Sequence, residues 1–75
     1  MSAPFLAVVV PAYNEEDRIA SSLESLTNYL SQQSYTWEIV VADDGSSDDT
    51  VSIVTEVAKR LPSTRLISLS HRGKG

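Results

Sequence analysis

Trp37-Glu38-Ile39-Val40-Val41-Ala42-Asp43-Asp44-Gly45-Ser46 is the stretch whose reading decides the fold. Trp37 to Ala42 is apolar and β-branched at its centre, the pattern of a strand buried on both faces. Asp43-Asp44-Gly45 breaks it, and Ser46 or Ser47 can cap a helix beyond. Val51, Val54, Val57, Ala58 and Leu61 give that helix one apolar face, and Pro62 marks its end.

The same alternation extends both ways. Upstream, Phe5 to Val10 is a short, nearly continuous apolar run, as expected of a strand buried on both faces, that Pro11 is expected to end, since proline cannot donate to a ladder. Ile19, Leu23, Leu26 and Leu30 then lie on one face of a 3.6-residue repeat. Asn14 is a plausible N-cap for this helix, with Glu15, Glu16 and Asp17 in its first turn, and the helix should fade near Gln33. Downstream, Arg65 to Leu69 reads as a third, shorter strand. The order is βαβαβ, an α/β unit. Right-handed crossovers place both helices on one face of a three-stranded parallel sheet with strand order 3-2-1, half of a doubly wound (half-Rossmann) fold. One sheet face and the first-strand edge would need cover from residues beyond 75, so the chain is expected to be cut off.

Composition narrows the function classes. At 75 residues a single core is marginal. A hydrophobic content of 41% argues against global disorder. A net charge of -4 argues against a broad nucleic-acid surface, though it suits a site that handles phosphate through a divalent metal. Without cysteine there are no disulfides or thiolate metal sites. No apolar run approaches the roughly 20 residues needed to cross a bilayer. The start, Met1 to Glu16, lacks the basic leading segment of a signal peptide. The expected location is cytoplasmic, or the cytoplasmic face of a membrane.

In a parallel sheet, the loops that follow the strands meet at the carboxyl edge, where open α/β sheets bind ligands. The unusual polar residues cluster in those loops: Pro11 to Glu15, Asp43 to Ser46, and His71 to Gly75. The opposite-edge loops, Ser31 to Thr36 and Pro62 to Thr64, carry no comparable group. Tyr13 can lie against a nucleobase and Glu15 can accept from ribose hydroxyls, although Asn14 and Glu15 also suit plain capping. Adjacent carboxylates repel, so Asp43 and Asp44 call for a metal, a cation or donors nearby. Either one can accept from a base N–H while the other faces the metal-phosphate region, and the bland alternative is a solvated turn capped by Ser46 and Asp48. Arg72-Gly73-Lys74-Gly75 combines backbone freedom with two cations, which suits a close approach to phosphate or simply a basic turn. It lacks the glycine spacing and the trailing Ser or Thr of a Walker loop. His71 is a lone histidine and carries little weight. Tyr29, Tyr35 and Trp37 read as packing or surface aromatics, and Glu24, Glu38 and Glu56 as solvated positions.

Val8-Val9-Val10-Pro11-Ala12-Tyr13-Asn14-Glu15-Glu16 resembles the opening strand and loop of the family-2 glycosyltransferases. Val40 to Asp48 is similar to their second motif. Arg72 to Gly75 is similar to the third, especially in the branch that makes dolichyl- or polyprenyl-phosphate hexoses. The resemblance covers almost the whole chain and implies the N-terminal, nucleotide-binding part of a GT-A fold over residues 1–75. It implies a metal-dependent, inverting hexosyltransferase that uses a nucleotide-diphosphate sugar, UDP-glucose or GDP-mannose, with a polyprenyl or dolichyl phosphate as a possible acceptor. A polysaccharide or protein acceptor, or a non-catalytic nucleotide-binding fragment, is the alternative. By resemblance, Pro11, Ala12, Tyr13 and Glu15 contact the nucleoside, Asp43 and Asp44 include a base-contacting carboxylate, and Gly73 and Lys74 lie near the nucleotide. The family's Asp-x-Asp metal motif, which binds Mg or Mn, and its acceptor base are expected beyond residue 75. No catalytic residue is therefore assigned within the chain, which by itself is expected to be inactive.

Two other classes fit less well. Receiver-type folds place an acidic pair after the first strand and an aspartate after the third, unlike the order here. Dinucleotide oxidoreductases cluster glycines where this chain has Pro11-Ala12-Tyr13-Asn14. Neither the sugar nor the oligomeric state can be read from the residues.

Overall fold

The computed structural model describes residues 5–69. The elements follow the expected order: β1 (Phe5–Ala12), α1 (Ile19–Leu30), β2 (Thr36–Asp43), α2 (Thr50–Arg60) and β3 (Thr64–Ser68). All pairing is parallel, with β2 central in the order β1-β2-β3. Val10, Val41 and Leu66 share one row across the sheet, as do Pro11, Ala42 and Ile67.

Strand alternation sorts the side chains into two faces. Ala12, Ile39 and Val41 form one buried cluster with Ile19, Leu23 and Leu30 of α1 and Val54 and Val57 of α2, so both helices cover the same face. Trp37, Tyr35, Leu26 and Ile53 pack at the margin of that cluster. On the other face Phe5 and Val9 are 62% and 61% exposed, and Ile67 is also exposed, so β1 is not buried on both faces as its apolar run suggests, because both helices pack on the opposite side. There Arg65 Nε reaches Glu38 Oε1 at 3.3 Å. Glu24 pairs with Arg60 and Glu56 with Lys59, as suits carboxylates at the surface. No helix among the described residues is long and apolar enough to cross a membrane.

Three local expectations are corrected. Pro11 does not end β1, which runs on to Ala12. The Ala12 carbonyl accepts from the N–H of Asp44, just past β2, so alternation turns the Pro11 nitrogen toward the open edge of the sheet, where no ladder bond is lost. Asn14 does not cap α1. The helix starts at Ile19 with no side-chain cap, and the preceding turn is closed by the Glu15 carbonyl, which accepts from Arg18 and Ile19 N–H. Glu15, Glu16 and Asp17 therefore lie ahead of the helix rather than in its first turn. Ser46 and Ser47 do not cap α2, which starts at Thr50, where the Asp48 carboxylate accepts the Thr50 N–H at 2.9 Å.

Candidate functional site

Every strand points its carboxyl end to the same edge, so the loop after β1 (residues 13–18) lies beside the loop after β2 (residues 44–49). Hydrogen bonds stitch the two together. Asn14 N–H donates to Ser46 Oγ at 2.9 Å, and Ser47 N–H donates to Asn14 Oδ1 at 2.8 Å. Glu15 N–H donates to Thr50 Oγ1 at 2.8 Å. Glu16 N–H donates to Asp48 Oδ2 at 3.2 Å, and Asp49 N–H returns the bond to Glu16 Oε1 at 2.9 Å. Asn14 adopts φ 51°, in the left-handed region that asparagine tolerates better than most residues. Gly45 takes φ 80° in the facing loop, where a side chain would be strained.

The acidic pair separates into two environments. Asp43 is 3% exposed. Its Oδ2 accepts from Ser46 N–H at 3.1 Å and its Oδ1 from the Ser46 hydroxyl, so both oxygens are engaged from within the loop. Asp44 is half-buried at the sheet edge, its N–H held by the Ala12 carbonyl at 2.9 Å. Tyr13, in the first loop, is 56% exposed. Glu15 accepts from the Arg18 guanidinium through Oε1 alone. Glu15 also lines a depression with Val10, Pro11, Arg18, Ile19 and Ser22. Ala12 is buried in the core.

Electrostatics add two shifts within the stitched loops. Burial pushes the Asp48 carboxyl up, but donation from the Thr50 hydroxyl and N–H and from Glu16 N–H outweighs it and holds the group below its ordinary value. The carboxylate–guanidinium contact with Glu15 raises the already high Arg18 value further. Among the described residues no group of three or more His, Asp or Glu side chains is placed to hold a metal ion. The second-loop acids do not fit such a site, because Asp43 and Asp48 are engaged by hydroxyl and N–H donors.

The structure thus brings Pro11, Ala12, Tyr13, Glu15, Asp43 and Asp44 to one edge. Gly73 and Lys74, with His71, Arg72 and Gly75, lie outside the described residues. Residue-by-residue reading missed Asn14, Ser46, Asp48 and Thr50 as a single network. A local pattern signals capping but not a partner more than thirty positions away.

The family model for glycosyl transferase family 2 matches residues 7–75. The chain belongs to this family. It is 44% identical over 77 residues to a dolichyl-phosphate beta-glucosyltransferase of Trichomonas vaginalis, covering 95% of this chain and 24% of that protein. The chain therefore spans about a quarter of the length of the curated relatives it matches. The crystal structure of S. aureus TarS in complex with UDP is similar, with a TM-score of 0.65 at 32% identity over 93% of this chain and 19% of that one. The mannosyltransferase of Pyrobaculum calidifontis, in complex with GDP-Man and Mn2+, gives a TM-score of 0.63 at 28% identity over 100% of this chain and 22% of that one. These likenesses agree with the GT-A fold and the family membership that the sequence motifs imply.

Proposed function

We propose that this family-2 chain is the donor-binding part of a hexosyltransferase whose substrate is a nucleoside-diphosphate sugar. The observation that supports this most is the meeting of the first two loops at the carboxyl edge, one carrying the exposed Tyr13 and the other the half-buried Asp44. Tyr13 stacks on the base, which offers a π-face whatever its identity. Asp44 accepts from a base N–H. Asp43 is the weaker candidate for that role, because both of its oxygens are already engaged by Ser46. Glu15, with Oε1 held by Arg18, turns its second oxygen to the ribose hydroxyls. Pro11 and Ala12 shape the wall beside the ring, and Gly73 and Lys74 approach the diphosphate.

The activity is proposed for a protein of the relatives' length that carries this chain. Relatives named dolichyl-phosphate beta-glucosyltransferases support glucose as the sugar and a polyprenyl phosphate as the acceptor; the donor proposed is accordingly UDP-glucose rather than GDP-mannose, and the place the cytoplasmic face of a membrane. In that transfer the acceptor phosphate oxygen bonds to the anomeric carbon while the bond to the diphosphate breaks, and the diphosphate leaves with the electron pair. An acceptor that is already anionic needs little help from a base. A divalent cation is expected from the Mn2+ of the mannosyltransferase neighbour, with ligands from outside the described residues.

The test is an assay of the whole protein with labelled UDP-glucose and GDP-mannose and a dolichyl phosphate. The expected result is lipid-linked glucose from UDP-glucose, reduced at least about tenfold by Tyr13→Ala or Asp44→Asn, the scale of one or two lost ligand contacts. Transfer only to protein or polysaccharide would refute the acceptor. Undiminished transfer by both variants would refute the site.

A further inference from the structure

We propose that Asn14 is a positioning residue for nucleoside recognition. It has no ligand contact of its own. It locks the loop that carries Tyr13 onto the loop that carries Asp44, and so sets the gap into which a planar base inserts. The inference rests on the nucleotide reading above and adds a residue to it.

Asn14 occupies the central position in the network. Its N–H and its side-chain carbonyl engage consecutive residues of the facing loop, Ser46 at 2.9 Å and Ser47 at 2.8 Å. An exposed residue of a mobile loop would have no need of two bonds across 32 and 33 positions of sequence. Asn14 makes both bonds from a left-handed backbone at φ 51°. The Ser46 hydroxyl then relays the contact. It accepts from Asn14 N–H and donates to Asp43 Oδ1, while Ser46 N–H donates to Asp43 Oδ2. A continuous chain of hydrogen bonds therefore runs from the residue after Tyr13 to the residue before Asp44. Asp43 is fixed at the end of β2 and buried, so this chain refers the first loop to the rigid sheet rather than to another mobile loop.

The chemistry of recognition requires such a reference. A base held between a ring and a carboxylate gains its hydrogen bond only if the two stay within a few tenths of an ångström of their bound spacing. Free motion of either loop would have to be arrested on binding. Preformed bonds remove that entropy loss beforehand, so removing them should appear as weaker affinity and a more mobile Tyr13 rather than as an altered contact.

The test uses the full chain, with UDP and GDP as probes, titrated by calorimetry, together with backbone amide relaxation of Tyr13, Asn14 and Asp44. Asn14→Gly keeps the left-handed backbone and removes the acceptor. Asn14→Asp keeps both the backbone tolerance and an acceptor oxygen. Asn14→Gly is expected to weaken the better-bound nucleotide by about five- to tenfold, as loss of one such bond implies. It should also lower the order parameters at Tyr13 and Asp44. Asn14→Asp should stay within about twofold of the parent in affinity and match its order parameters, since its acceptor is kept. Ser46→Ala breaks the relay itself, which the glycine variant keeps through its N–H, and should weaken affinity and loop order to a similar extent, with Ser46→Thr restoring both. A change in unfolding midpoint with affinity and loop order unchanged in both Asn14→Gly and Ser46→Ala would show a structural role only and overturn the proposal. If the parent chain binds neither nucleotide, the nucleotide reading itself fails and the proposal falls with it, an outcome distinct from equal binding by parent and variants.

Discussion

Thr50→Val is the sharpest test of the physical account of the loop junction. Thr50 is fully buried at the start of α2. Its hydroxyl accepts from Glu15 N–H at 2.8 Å and donates to the Asp48 carboxylate. Valine keeps the volume and the β-branch and removes the oxygen. Glu15 N–H, part-buried, is then left without an acceptor, a loss of about 1–2 kcal/mol before any effect at Asp48 is counted. In a domain of this size each kcal/mol moves the thermal midpoint by roughly 4–8 °C, so the variant should melt about 10 °C lower. Trp37, the single tryptophan, packs against the core and reports the transition by fluorescence. Thr50→Ser returns the hydroxyl and should recover most of the loss, apart from a small cavity where the methyl was. A Thr50→Val midpoint within about 2 °C of the parent would show that water replaces the hydroxyl at no cost and would refute the reasoning.

Three further outcomes are expected. Leu23→Ala empties the centre of the helix-facing core, where Leu23 is fully buried, and should lose about 2–5 kcal/mol, enough to remove the cooperative transition seen by circular dichroism; a retained transition would contradict the assigned core. Asp48 titrates lower when folded than its ordinary 3.8, so its contribution to stability is complete above that value and disappears as pH falls through the folded value. Urea midpoints of the parent and Asp48→Asn should therefore converge toward acid, and a gap that stays constant with pH would count against the donor set assigned to Asp48. Val9→Thr, on the bare sheet face, should change stability by no more than about 0.5 kcal/mol in this chain, and a larger loss measured by urea titration would mean that this face is covered.

The fold was legible because each of its signals is local. The apolar rows Ile19–Leu23–Leu30 and Val54–Val57 are buried as their periodicity requires, and the runs before Pro11 and Asp43 are strands. The parallel order followed from the crossovers, and the parallel order brought the motif-bearing loops together. What escaped reading was pairwise and distant. Asn14 has the composition of a cap, yet its acceptor oxygen serves Ser47. Asp43 and Asp44 are identical in type and adjacent in sequence, and only the direction in which each leaves the end of β2 separates the buried carboxylate from the half-exposed one. Pro11 looked terminal because the side its nitrogen faces depends on the pairing of β1 with β2, which no window of residues displays.

That edge proline has a bearing on how the protein behaves at high concentration. The outer side of β1 presents backbone donors at Phe5, Ala7 and Val9, carried by a strongly β-forming apolar segment, which is the kind of template on which strands from other molecules polymerise. At Pro11 the row of donors stops, two residues before the loop that carries Tyr13. An incoming strand can register along the first half of the segment but finds no partner at the end that borders the ligand loops. In this chain taken alone, the imino ring therefore withholds a donor from added strands at the end of β1 that borders the binding edge.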